Sequence, residues 1–290
     1  MKISRIDSCH CMVGECPIWD EKEQALFFLD IARRHVHRLD PVSGDLSTWT
    51  VPAEPAALAL REAGGALVAI KDIVYALDLA SGECSPLAVA TTQPAHATFN
   101  DGKIDRRGRL ILGSCTTDFS DPKPDGGIFS LQPGGQCERL AGDIIFSNGP
   151  CFSPDGKILY FADSGRQAIY TYDYDLDTGQ IGERRLFAQT SELGGIPDGA
   201  TVDSDGRVWV AINQGGKVVA YRPSGQVERI IDLPASHPGS LTFGGPKLDR
   251  LYVTTIDPEY FGQPSVPSGG YIYVIEGLGV TGLAEPRFAG

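Results

Sequence analysis

Hydrophobic and polar positions alternate along most of this chain, and no long segment with a helical period interrupts the alternation. The alternation predicts six equivalent strands, at residues 25–30, 66–70, 109–113, 158–162, 207–211 and 250–254. Turn signals such as Asp155-Gly156 and Asp205-Gly206 precede several of them. Another strand follows each one, at residues 36–39, 73–77, 127–131, 168–172, 218–221 and 271–275.

This repetition predicts an all-β fold, a six-bladed β-propeller of four-stranded antiparallel blades with a central metal site. Each repeat spans about 40–50 residues, which is the period of a propeller blade. We expect one domain over residues 1–290, because no linker or change of composition divides the chain. We also expect segment 3–8 to complete the last blade, with the C-terminal residues 287–290 as the alternative.

Side-chain oxygens recur at one phase of the repeat. The equivalent positions are Glu15, Pro55, Asn100, Asn148, Asp198 and Pro238. Any single Asn or Asp followed by Gly is most simply a turn former. The shared phase, and Glu15 with no glycine after it, favour a common role instead. Oxygen donors without sulfur or imidazole are typical ligands of a hard divalent cation.

Composition and charge exclude several classes of partner. The net charge is −12, and the basic residues are scattered in pairs rather than clustered. Nucleic acid and anionic membrane surfaces are therefore not expected to bind. No apolar run approaches the ~18 residues of a membrane span, and the first residues lack the apolar core of a signal peptide.

The cysteines point to a reducing compartment. Seven is an odd number, and the chain is too long to need disulfide staples, so we expect reduced thiols in the cytoplasm. Cys9, His10 and Cys11 invite interpretation as a metal motif. A Cys-x-Cys without a second Cys/His pair nearby is weak evidence, and small buried apolar residues are the favoured interpretation.

Several motifs together resemble the SMP-30/gluconolactonase/LRE family of regucalcin-like sugar lactonases. They occur in order along nearly the whole chain, at residues 14–19, 99–105, 147–149, 160–164, 172–175, 196–199, 243–245 and 277–280. The resemblance implies a six-bladed propeller that holds one divalent cation through Glu15, Asn148 and Asp198. It also implies that Asn100 lies beside the metal and contacts substrate.

The substrate pocket departs from the family pattern at one position. Thr98 stands where the family often has an arginine that holds the sugar, and a hydroxyl does not replace a guanidinium. His96 could supply a donor from the same face of the extended segment, although a surface histidine is the favoured interpretation. Asp118 matches an acidic residue that approaches sugar hydroxyls, in a Pro-rich insertion (116–126) that is either a lid or a solvated loop.

The expected reaction is metal-dependent hydrolysis of a small-molecule sugar lactone to its aldonic acid, with Asp198 as the general base. The donor set favours Ca²⁺, Mg²⁺ or Mn²⁺ and leaves Zn²⁺ and Fe²⁺ open. Two alternatives stay open: an organophosphate hydrolase on the same ligands, and a non-catalytic calcium-binding propeller. The sequence leaves open whether the protein is a monomer or a homodimer.

Overall fold

A computed structural model describes residues 1–118 and 120–290, and nearly all of its regular structure is β-strand. In chain order the strands are β1 (Lys2–Ile6), β2 (Gly14–Asp20), β3 (Ala25–Asp30), β4 (His35–Leu39), β5 (Leu46–Thr50), β6 (Ala57–Leu60), β7 (Ala66–Ile70), β8 (Ile73–Leu77), β9 (Cys84–Val89), β10 (Ala97–Ile104), β11 (Leu110–Thr116), β12 (Gly126–Leu131), β13 (Cys137–Ile144), β14 (Ser147–Phe152), β15 (Ile158–Asp163), β16 (Ala168–Asp173), β17 (Arg185–Gln189), β18 (Ile196–Val202), β19 (Val208–Asn213), β20 (Lys217–Tyr221), β21 (Val227–Asp232), β22 (Pro238–Gly244), β23 (Arg250–Thr255) and β24 (Ile272–Glu276). Three short 3₁₀ helices in the described residues cover Ser164–Arg166, Ser191–Leu193 and Pro258–Phe261. None of the helices described is long and apolar enough to cross a membrane.

The strands form a six-bladed β-propeller, as predicted. Five blades are four consecutive antiparallel strands: β2–β5, β6–β9, β10–β13, β14–β17 and β18–β21. The sixth blade combines β22, β23 and β24 with β1. The second strands of the blades are buried along nearly their whole length, as in β3, β11 and β19, so they pack side chains on both faces.

The N-terminal strand completes the sixth blade. Its residues pair antiparallel with β24, from Lys2 opposite Glu276 to Ile6 opposite Ile272. This confirms the predicted closure through segment 3–8. The C-terminal residues lie elsewhere, since Phe288 forms a parallel bridge with Arg61 and is fully buried.

The chain divides into two compact units of three blades each. The first unit contains Met1–Thr50 and Thr190–Glu285, and the second contains Val51–Gln189 and Pro286–Gly290. Each unit has apolar clusters between its own sheets, such as the cluster around Trp209 and Phe243 in the first unit and the cluster around Phe99 and Phe129 in the second. The single domain over residues 1–290 stays a prediction.

Strand boundaries agree with the alternation to within three residues, and some of the small differences have a clear cause. Arg109 precedes β11 rather than starting it, because it pairs with Asp105 across the turn at 2.8 Å. Arg207 precedes β19 in the same way and pairs with Asp203 at 3.3 Å. In both turns the aspartate also accepts the arginine's own backbone amide, so the ion pair fixes the entry to the strand.

Candidate metal and substrate site

The first strand of several blades breaks its pairing register at the predicted positions. The register shifts between Glu15 and Ile18 in β2, Phe99 and Asp101 in β10, Asn148 and Cys151 in β14, Pro197 and Ala200 in β18, and Pro238 and Ser240 in β22. A β-bulge of this kind redirects a side chain and often adjoins an active site. Each of the four candidate oxygen donors is at or inside such a bulge, which a strictly regular strand would not allow.

Two of these bulges share an unusual backbone conformation. Cys16 directly follows Glu15 and has φ of 48°, and Gly149 directly follows Asn148 and has φ of 51°. Glycine adopts this left-handed region readily, whereas a cysteine is strained there. A proline comes next in both segments. Glu15 and Asn148 are therefore each followed by the same left-handed backbone conformation. At Cys16 this conformation is strained.

In the second unit, hydrogen bonds join the two candidate amides. Asn100 Nδ2 donates to Asn148 Oδ1 at 2.9 Å and to the carbonyl oxygen of Ser147 at 2.8 Å. Asn148 is 4% exposed, and its Nδ2 donates to Ser164 Oγ at 2.9 Å. Both amide nitrogens are thus engaged, so the oxygens are the atoms these side chains can offer to a cation or a sugar hydroxyl.

Equivalent aspartates brace the segments that lead into Glu15 and Asn148. Asp30, at the end of β3, accepts the backbone amides of Met12 and Val13 and pairs with Arg33 at 2.9 Å. Asp163, at the end of β15, accepts the corresponding amides two and three residues before Asn148 and pairs with Arg166 at 2.6 Å. Both carboxylates are buried, so these contacts fix the position of the bulged strands.

In the first unit, Glu15 packs against the backbone of β22. Its Oε2 accepts the amide of Cys16 at 3.2 Å, and a Cβ added to Gly239 would lie only 2.2 Å from Oε1. Glycine is therefore required at position 239 for this placement of the carboxylate. The same strand packs on its other side against β18, where a Cβ on Gly199 would lie 2.0 Å from Ser240 Oγ. The two candidate carboxylates, Glu15 and Asp198, thus belong to strands that both pack against β22.

Asn213 is a site residue that the sequence reasoning missed. Asp198 is 7% exposed, and its Oδ2 accepts a hydrogen bond from Asn213 Nδ2 at 2.8 Å. Because a carboxylate only accepts, the amide nitrogen must face it, and Asn213 Oδ1 is left buried without a partner among the described residues. A buried acceptor of this kind calls for a donor or a cation. The sequence did offer one signal for Asn213. It ends the second strand of its blade, and Asp30 and Asp163 occupy the same position in theirs.

His237 is a second residue that the sequence did not single out. It immediately precedes Pro238, is 4% exposed, and stacks on Phe261 with ring centroids 5.1 Å apart. Ser236 Oγ lies 2.7 Å from its Nδ1, while Nε2 is buried and has no partner among residues 1–118 and 120–290. Burial holds the pKa of His237 below its ordinary value, so the ring is neutral at pH 7.

The remaining predicted substrate residues occupy one end of the blade that carries Asn100. Thr98 is half-buried in β10, and His96 precedes that strand and is exposed. The carbonyl of His96 accepts the amide of Thr117 at 2.9 Å, which places the start of the insertion beside it. The insertion includes Phe119, which lies outside the described residues.

Asp118 is exposed and organises its own loop. Its Oδ1 accepts the hydroxyl of Ser120 at 2.6 Å and two backbone amides. The hydroxyl hydrogen bond from Ser120, with those amides, holds the pKa of Asp118 below its ordinary value, so the group is a carboxylate at neutral pH. Of the cations that could replace the missing arginine, Arg166 is occupied by Asp163 and Asp143. Lys123 is exposed, with Asp121 at 3.4 Å.

The donor atoms fit a hard cation better than a soft one. Glu15 and Asp198, both in the first unit, offer carboxylate oxygens. Oxygen-only sets of this kind bind Ca²⁺, Mg²⁺ or Mn²⁺ in preference to thiophilic metals. The partnerless Asn213 Oδ1 beside Asp198 fits a hydrated ion, because water bound to a cation is a strong hydrogen-bond donor.

Comparison with known proteins identifies relatives over the whole chain. Residues 13–257 match the family described as the SMP-30/Gluconolactonase/LRE-like region. A 6-deoxy-6-sulfogluconolactonase of Pseudomonas putida is 38% identical over 96% of this chain and 96% of its own length. Regucalcin of Xenopus laevis is 34% identical over 100% of this chain and 99% of its own. The solved structure of a calcium-binding protein, regucalcin, from Agrobacterium tumefaciens matches with a TM-score of 0.89 and 26% identity, over 99% of this chain and 97% of that one.

Proposed function

The chain belongs to the SMP-30/gluconolactonase/LRE-like family, and from that premise we propose that it hydrolyses a sugar lactone to the corresponding aldonic acid with one divalent cation. The observation that carries the proposal is the set of bulged first strands. They present two carboxylates and two amides at a single phase of the repeat. Relatives named as lactonases support the reaction class.

Glu15, Asn148 and Asp198 are the proposed ligands of the cation. Their oxygen chemistry favours Ca²⁺, Mg²⁺ or Mn²⁺, and a solved relative described as calcium-binding supports a divalent ion. Zn²⁺ and Fe²⁺ belong in any test of its identity. When bound, such a cation acts as a Lewis acid toward the lactone carbonyl and lowers the pKa of water.

Asp198 is the proposed general base, which takes a proton from the attacking water. The hydrogen bond from Asn213 Nδ2 to its Oδ2 holds the carboxylate in one orientation. Asn213 thus acts as a positioning residue. Because its Oδ1 has no protein partner in the described chain, it is also an acceptor for water or for a sugar hydroxyl.

The residues around Asn100 and Asn148 are proposed to orient the substrate. Asn100 has both amide hydrogens engaged, so its oxygen accepts from a sugar hydroxyl. Asp118 accepts hydroxyls from the insertion, while Thr98 and His96 supply donors where relatives often carry an arginine. Without that fixed guanidinium, we expect this chain to prefer a lactone with a different substituent at that end.

A non-catalytic calcium-binding role is the second candidate, because the solved relative is described by calcium binding rather than by a reaction. Cytoplasmic location is also proposed, since none of the seven cysteines, all of them described, forms a disulfide bond. A monomer and a homodimer are both compatible with a site built from one chain.

The test is proton release from a panel of aldonolactones and an organophosphate triester. The enzyme is stripped by chelator and then given Ca²⁺, Mg²⁺, Mn²⁺, Zn²⁺ or Fe²⁺ separately. Asp198→Asn keeps the shape of the side chain and removes its charge, and Asp72→Asn changes an exposed carboxylate as the matched control. We expect metal-restored lactone hydrolysis in the wild type and in the control, and its loss in Asp198→Asn.

Three results would change the assignment. Metal binding by calorimetry with no turnover of any lactone or triester would favour the calcium-binding role. Turnover of the triester above every lactone would favour the organophosphate hydrolase. Full lactonase activity in Asp198→Asn would remove this residue as the base.

A further inference from the structure

Cys9, Cys11 and His37 lie close together in the first unit. The histidine belongs to a strand that comes later in the chain than the two cysteines. Their potential ligand atoms all lie within 4.8 Å of one another. The residues are 5%, 1% and 6% exposed, respectively. The Cys-x-Cys pair by itself indicated only small buried residues, and the folded chain adds an imidazole as a third potential ligand.

We propose that Cys9, Cys11 and His37 bind one thiophilic d¹⁰ cation, Zn²⁺ or Cu⁺, at a site separate from the oxygen-ligand site. The separation of the two sulfur atoms supports this, since Cys9 Sγ and Cys11 Sγ are 3.8 Å apart. Two Zn–S bonds of ~2.3 Å at a tetrahedral angle place their sulfur atoms about 3.8 Å apart. The thiols are therefore already spaced as two ligands of one ion, although the same distance also allows an S–H···S hydrogen bond.

Backbone contacts hold the two cysteines in this arrangement before any ion binds. Cys11 N donates to the carbonyl of Gly270 at 2.7 Å, and Arg33 Nη1 donates to the carbonyl of His10 at 2.5 Å. Asp30 accepts the next two backbone amides of the same loop. A ligand loop fixed by such outer contacts loses little entropy when it takes up a metal.

The imidazole is also prepared for ligation. Thr48 Oγ1 lies 2.9 Å from His37 Nδ1, so when Nδ1 carries the proton the lone pair is on Nε2. Burial, with the neighbouring His35, lowers the pKa of His37 to about 4, and the ring is neutral at pH 7. The hydrogen bond between the two thiols lowers the pKa of Cys9, and the same bond, together with burial, raises the pKa of Cys11. Binding of the ion by both cysteines as thiolates releases the two thiol protons to solvent.

The position of the cluster indicates a structural role. Cys9 and Cys11 lie in the connection from β1 to β2, and His37 lies in β4. β1 belongs to the blade of β22–β24, whereas β2 and β4 belong to the next blade. An ion on these three ligands would tie the strand that closes the sixth blade to its neighbour, and all three ligand residues are buried.

The test uses Co²⁺ as a spectroscopic probe in the fully reduced full-length protein. Thiolate ligands give Co²⁺ an intense sulfur-to-metal charge-transfer absorption in the near ultraviolet, whereas an oxygen-only site gives none. We expect this band to saturate at one Co²⁺ per chain and to be displaced by Zn²⁺. Cu⁺ competition against a chromogenic chelator then decides which of the two ions binds more tightly.

Matched variants show which residues give rise to the charge-transfer absorption. Cys9→Ala and Cys11→Ala are expected to abolish it, whereas Cys137→Ala changes a cysteine of the second unit and should retain it. Asp198→Asn should also retain it, which separates this site from the proposed lactonase metal. Zinc-edge X-ray absorption of the wild type, which needs no variant, should show two sulfur neighbours at ~2.3 Å. Absence of zinc–sulfur scattering, or a band that survives in the Cys9→Ala/Cys11→Ala double variant, would overturn the proposal.

Discussion

Gly239→Ala tests whether Glu15 is a metal ligand without changing Glu15 itself. A Cβ at position 239 would lie 2.2 Å from Glu15 Oε1, and real Cβ contacts are essentially never shorter than 3.0 Å. The carboxylate must therefore move back by at least 0.8 Å. The nearest backbone atom, the carbonyl oxygen of Gly14 at 2.9 Å, needs a much smaller adjustment.

The size of this displacement sets the expected effect. Ligand distances in working metal sites are held to about ±0.2 Å, so a carboxylate displaced by 0.8 Å loses most of its bond to the ion. Displacing one ligand through its neighbour typically lowers metal affinity or activity by about 10–100-fold. We expect that loss in the affinity for Ca²⁺ or Mn²⁺, with an unchanged β-sheet spectrum and a small fall in Tm.

Isothermal titration calorimetry of chelator-stripped protein measures the affinity, and proton release from the preferred lactone measures activity. Gly134→Ala is the matched control, because a Cβ there meets nothing within 4 Å. Wild-type affinity in Gly239→Ala would refute the assignment of Glu15 as a ligand. A cooperative loss of the folded state would instead show that the backbone contact with Gly14 dominates.

Three further changes test other contacts of the structure. Asn213→Ala removes the donor to Asp198 and should lower kcat/KM by about 10–100-fold at saturating metal; an unchanged pH–rate profile and rate would contradict its positioning role. Tyr174→Phe removes a 2.6 Å hydrogen bond to a buried carboxylate and should cost about 1–3 kcal/mol in urea unfolding. Burial and that bond raise the pKa of Tyr174, so the wild type should lose stability as pH rises above ~10, and the variant should lose less. Asp163→Ala leaves three backbone amides without their acceptor and removes one of the two carboxylates that pair with Arg166, so it should cost about 3 kcal/mol in urea unfolding. Asp173→Ala breaks an exposed ion pair and should leave the free energy of unfolding almost unchanged.

The blades themselves could be predicted from the sequence because strand signals are local. Alternation along six residues and a glycine turn beside them are visible without knowing any distant contact, which explains why β3 and β7 have their predicted bounds. Closure by β1 was also predictable, since the last repeat lacked one strand. The repeat phase selected Glu15, Asn100, Asn148 and Asp198 for the same reason, and their role as one metal and substrate site stays a prediction.

The contacts that refine those residues were not visible in the sequence. Whether Asn100 donates to Asn148, or Gly239 makes room for Glu15, depends on how neighbouring strands are offset at their bulges. A bulge depends on pairing between strands, so alternation within one strand does not reveal it.

The sequence by itself determined the propeller and the phase at which oxygen donors recur, because both follow from local periodicity. Only the tertiary structure decided that Asn213 positions Asp198 and that His37 joins Cys9 and Cys11. His37 comes from another strand than the two cysteines, and only the packing of two adjacent blades brings its ring to their thiols. A three-dimensional cluster of this kind leaves no periodic trace in the chain, since its members share neither a strand nor a repeat position.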